Sequence, residues 1–121
     1  MSKRITLAAV AALTLFLSAG LVTADETYTG EIVEKACFVD RGAHGADHKS
    51  CAESCISRGG DMALLTADGD LYILRMDENN AAPWEALKEL VAAQATVSGS
   101  VVEEDNFKVL TVATSEAAGT N

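Results

Sequence analysis

Five short runs of β-branched and apolar residues, each closed by a turn signal, constrain this 121-residue chain more than any other feature. Residues 27–36 (TYTGEIVEKA) form the first, rich in β-branched side chains and alternating imperfectly. Residues 62–66 and 71–76 flank Ala67-Asp68-Gly69-Asp70, and an Asp-Gly pair between two apolar runs signals a hairpin. Val97, Gly99 and Val101 alternate in a fourth run, after which residues 103–106 turn the chain. In the fifth, Phe107, Val109, Thr111 and Ala113 share one face while Leu110 and Val112 share the other. Residues 115–121 read as a frayed tail. Strands this short are not stable singly and must pair into one sheet around a shared core.

Two segments depart from the period of two. Pro83 suits the first turn of a helix that sets Trp84, Leu87, Leu90 and Val91 on one face. Residues 51–58 (CAESCISR) read as a short helix, with Ser50 and Glu53 in capping-box spacing and Gly59-Gly60 as a left-handed stop. Residues 38–50, with Gly42 and Gly45, read as loop. The expected order is β1, loop with short helix, β2, β3, helix, β4, β5. That is mainly β with one or two short helices, in the order of a five-stranded OB-like barrel. Ligands of such barrels often sit at the loop after the first strand, which here holds the cysteines and histidines.

The first 24 residues read as a secretory leader. Lys3 and Arg4 precede an apolar stretch over residues 5–22, and Val22-Thr23-Ala24 supplies small residues for cleavage. Retention as a membrane anchor is the competing reading. The expected product is one OB-like domain, residues 25–121, periplasmic or secreted, with no membrane attachment once the leader is cleaved. It keeps seven basic residues against 18 acidic ones. A surface so acidic repels phosphate backbones, so nucleic acid is not an expected partner, whereas an unidentified protein partner is compatible with it. Tyr72, Trp84, Met62 and Met76 read as core, and no basic groove accompanies the aromatics.

Three cysteines in an exported chain cannot all pair internally. Cys51 and Cys55 are one helical turn apart on the same side, His48 precedes them, and Cys37 follows the first strand. Within the Cys/His segment 37–60, Cys37, His48, Cys51 and Cys55 make a Cys₃His set suited to tetrahedral zinc, and also to Cu(I) or a single iron. A metal would use the odd cysteine, hold a helix of about eight residues that is unstable alone, and shield the thiols from oxidation. His44 is an additional donor, and Asp40 and Asp47 are acceptors that would orient His48. A disulfide from Cys37 to Cys51 or Cys55 is the plainer alternative, making the chain a stapled protein-binding module. A thiol-disulfide or electron-transfer component using Cys51 and Cys55 is the third. With four protein donors and no general base evident, a metal-binding accessory role is expected more than an enzyme.

The pattern resembles a group of small exported bacterial proteins and periplasmic domains that have no assigned activity. They share Cys…His-x-x-Cys-Ala-x-x-Cys-x-x-x-Gly-Gly ahead of an OB-like β-rich tail. His48, Cys51, Ala52, Cys55, Gly59 and Gly60 match it, and Cys37 matches the earlier cysteine. The likeness is strongest from Gly30 to Gly60 and implies that the Cys and His residues act together. Asp61-Met62 stand where the group tends to place proline, so the backbone after the helix is expected to differ.

Overall fold

The computed structural model describes residues 25–119, and the leader read at residues 1–24 lies outside them. Strands β1 (Glu26–Glu34), β2 (Met62–Thr66), β3 (Leu71–Met76), β4 (Gln94–Glu104) and β5 (Phe107–Ala117) close a barrel in the order β1-β2-β3-β5-β4. β1 serves two neighbours, both antiparallel. Its first half pairs with β4, Glu26 to Gly99 through Glu31 to Gln94, and its second half with β2, Gly30 to Thr66 through Glu34 to Met62. Parallel pairing of β3 with β5, Tyr72 to Lys108 through Met76 to Val112, completes the closure. This is the OB-like arrangement that the element order predicts.

The turn chemistry matches the sequence. Asp68-Gly69 closes the β2–β3 hairpin, with Gly69 at φ 87°. Asp105 and Asn106 carry the β4–β5 turn at φ 50° and 68°, a left-handed pair that their short polar side chains tolerate. β5 runs to Ala117, past the point where fraying is expected. Ser115 still pairs with Val97, and its hydroxyl donates to the Pro83 carbonyl at 2.6 Å.

The barrel interior holds Ile32, Met62, Leu64, Leu74, Leu87, Val91, Val97, Leu110 and Val112, all nearly or fully buried. Val33, Ala63, Ile73 and Val109 point outward, where Phe38, Leu65, Leu71 and Phe107 cover them. Between β3 and β4, helix α3 (Ala82–Leu87) tightens into a 3₁₀ turn, Lys88–Leu90. Leu87 and Val91 are buried and Trp84 and Leu90 half-buried, so the expected face is used by a shorter helix than the pattern suggests.

The segment between β1 and β2 is more regular than a loop. Helix α1 (Lys35–Arg41) starts directly after β1, a 3₁₀ turn spans Ala46–His48, and α2 covers Lys49–Ser57. Glu34 caps α1 by accepting from the Cys37 N–H at 2.8 Å, and Gly42 at φ 64° ends it. The expected Ser50–Glu53 capping box does not form. The 3₁₀ turn runs straight into α2, so Ser50 lies inside the helix, and Glu53 instead sits 3.9 Å from Lys49. Among the described residues no helix is long and apolar enough to cross a membrane.

Candidate metal centre

β1 ends with a carboxylate pointing inward. Ile32 and Glu34 lie two residues apart on one face of the strand, and Glu34 is 3 % exposed. A lone buried carboxylate is unfavourable unless hydrogen bonds satisfy it. Here the amides and the thiol of Cys37 do much of that work. Burial alone would push the Glu34 carboxyl up. The thiol and amide of Cys37 and the amide of Ala36 outweigh burial, His48 adds to their effect, and the net result is below the usual value.

Helix α2 is fixed to the barrel by Ala52, which is buried in the interior cluster, and by half-buried Ile56. Cys55 lies three residues beyond Ala52, so anchoring this face swings it toward the end of β1. Gly60 completes the approach. Its N–H donates to the Cys55 carbonyl at 2.9 Å, and the position where a Cβ would stand is 2.8 Å from both that carbonyl oxygen and Glu34 Oε1. The two glycines of the stop thus have different tasks. Gly59 takes the left-handed conformation at φ 102°, while Gly60 lets the helix end close on the carboxylate.

The result is a group of three donors. One carboxylate oxygen of Glu34 and the Sγ atoms of Cys37 and Cys55 all lie within 4.8 Å of one another, a group that could hold a metal ion. Cys37 is 5 % exposed. Its thiol is pushed up in pKa first by the hydrogen bond to Glu34 and then by burial, while Arg41, donating to Sγ at 3.5 Å, works in the opposite direction. None of the three cysteines is in a disulfide.

The other sequence candidates are placed differently. Cys51 is on the same side of α2 as Cys55 but about 6 Å away along the axis, the rise of four residues. It is exposed, outside the three-donor group, and lines a hollow of about 300 Å³ with Cys37, Arg41, Ser50, Ser54, Cys55 and Arg58. His48 sits at the start of α2 without a side-chain capping bond and, like Cys51, lies outside the three-donor group; its Nε2 is buried with no hydrogen-bond partner, so neither Asp40 nor Asp47 orients that nitrogen. Both aspartates are exposed. His44 faces a different hollow, with Nδ1 3.2 Å from Glu31 Oε1 and its ring edge-on to Phe38.

Sequence reasoning missed Glu34. A carboxylate at a strand end is ordinarily solvated. Its position two residues after Ile32 and three before Cys37, inward-facing and able to cap, was the available signal. Comparisons of the chain with protein-family models, with curated proteins and with solved structures find no match.

Proposed function

We propose that this is an exported metal-binding accessory protein whose ion is held by Cys37, Cys55 and Glu34, with His48 as the fourth donor. The observation that carries the reading is the three-donor group: two thiols and a carboxylate, drawn from a strand end and two helices, within 4.8 Å of one another. His48 lies outside that group, and what supports it for the fourth place is its buried Nε2 without a hydrogen-bond partner, which is costly unless something binds it. Two thiolates with one oxygen and one nitrogen suit zinc. Cu(I) favours sulfur alone, and iron is the remaining choice. The likeness to exported bacterial proteins with the same Cys and His spacing supports both the site and the periplasmic or secreted setting.

Zinc bound here would act as a cross-link between the β1–α1 corner and α2, a helix too short to be stable alone. Glu34 holds the Cys37 thiol in its protonated form, so binding an ion would release that thiol's proton from the site and leave the Glu34 carboxylate free to act as a donor. Arg41 favours the resulting thiolate. The role is binding, with every proposed donor supplied by the chain itself.

The proximity of the Cys37 and Cys55 sulfurs supports one competing reading, a disulfide between them. Elemental analysis of protein purified without chelator, paired with thiol titration, separates the two. The proposal expects about one zinc per chain, with Cys37→Ser and Cys55→Ser each losing it. Metal-free protein with a single fixed Cys37–Cys55 bridge would replace the metal site by a staple.

A further inference from the structure

Seven cationic side chains lie among the described residues. Lys49, Arg75, Lys88 and Lys108 pair with carboxylates. Lys35 lies over the Phe107 ring, 4.4 Å from its centroid. Arg41 and Arg58 have neither kind of partner among the described residues, in a chain carrying 18 carboxylates. Both line the same hollow, above Cys37 and Cys55. Arg41 donates to Cys37 Sγ, and Arg58 donates to Ser54 Oγ on the rim.

For a site that takes a dication, this is the wrong sign of charge at the mouth. Two unpaired guanidinium groups repel a bare metal ion from the opening through which the sulfurs are reached. They attract an anion. We infer that the hollow receives metal as a complex of a small anionic thiol, which surrenders the ion to Cys37 and Cys55 by ligand exchange. The inference rests on the metal-binding reading above.

Size and chemistry agree with that carrier. A hollow of about 300 Å³ has room for a small molecule. Carboxylates on the carrier find two guanidinium forks and the hydroxyls of Ser50 and Ser54. Exposed Cys51 is the first sulfur an incoming complex meets, one turn above Cys55. The exchange balances without an oxidant. Each metal–sulfur bond to the carrier that breaks is replaced by one to a protein sulfur, and the proton leaving the protein thiol passes to the released carrier thiolate. No electrons are transferred.

Two zinc complexes test this, one with mercaptosuccinate, which is anionic, and one with cysteamine, which is cationic. Native mass spectrometry after rapid mixing follows zinc arriving on the reduced, metal-free chain. The ratio of the two rates is compared between wild type, R41Q/R58Q, and K88Q/K108Q, which removes equal charge elsewhere. Comparing ratios cancels the carriers' own differences in affinity. The ratio should fall about tenfold in the arginine variant and hold in the lysine variant, within the range of electrostatic steering. Raising the salt concentration should erode the wild-type ratio in the same way, which covers the case of a variant that fails to fold. A ratio unchanged by the arginine substitutions and by salt overturns the inference and leaves the metal site standing. A wild-type chain that takes zinc from neither carrier overturns the metal reading itself, and this inference with it.

Discussion

Replacing Gly60 by alanine adds one methyl group where the site is tightest. The new Cβ would lie 2.8 Å from the Cys55 carbonyl oxygen and 2.8 Å from Glu34 Oε1, against ordinary contacts beginning at 3.4 Å. Relief therefore requires a movement of about 0.6 Å. The carbonyl contact is relieved only by shifting the end of α2, which carries Cys55, and the carboxylate contact by swinging the Glu34 side chain, so both movements disturb the three-donor group. The overpacking should cost about 1–3 kcal/mol of stability. Displacing a donor should weaken zinc binding by roughly 10- to 100-fold. Gly59→Ala is the matched control. Its φ of 102° makes alanine strained, costing about 1–2 kcal/mol, yet nothing lies within 4 Å of the added carbon. The assay is zinc competition against a chromophoric chelator, beside thermal melts of both metal-free variants. Gly60→Ala should lose affinity and stability, Gly59→Ala mainly stability. Equal zinc affinities in the two variants would refute the placement of Glu34 at the site.

Three further outcomes follow from the same geometry. The Glu34 carboxyl is held below its ordinary value in the folded chain, so its contribution to stability is complete above pH 4.5 and is lost as pH falls through the folded value. Acid melts of the reduced, metal-free protein should show that loss, and Glu34→Gln should flatten it; an identical acid slope in the variant would contradict the assignment. Mild oxidation of the metal-free chain should join Cys37 to Cys55, and bound zinc should protect both, as peptide mapping after alkylation will report. A Cys51–Cys55 bridge as the first product would count against the sulfur placement. Leu110 is fully buried on β5 in the barrel interior, so Leu110→Ala should cost about 2–5 kcal/mol in chemical denaturation. A loss under 1 kcal/mol would mean the interior is not packed as described.

The barrel was legible because its signals are local. The β2–β3 hairpin follows from Asp68-Gly69 between apolar runs, and the β5 faces follow from a period of two, with Leu110 and Val112 inside and Val109 outside. Helix α1 was not legible. Val39 and Asp40 are weak helix formers, and the segment is held by a glutamate cap and by Phe38 packing on the outer face of the sheet. The capping box failed for a related reason, since the 3₁₀ turn before α2 leaves Ser50 inside the helix. At the site, helical spacing correctly put Cys51 and Cys55 on one side of α2. It does not encode how far along the axis the helix docks. That is decided by Ala52 in the barrel core and by the close approach at Gly60, contacts between distant parts of the chain that bring Glu34 and Cys37 to Cys55.

X-ray absorption at the zinc edge of the loaded, reduced protein tests the central claim most directly, because it counts the atoms around the ion. Two sulfurs at about 2.3 Å and two lighter atoms at about 2.0–2.2 Å are the predicted shell, with one sulfur lost in Cys37→Ser and one in Cys55→Ser. A shell of oxygen and nitrogen alone, or a sulfur count untouched by either substitution, would contradict it.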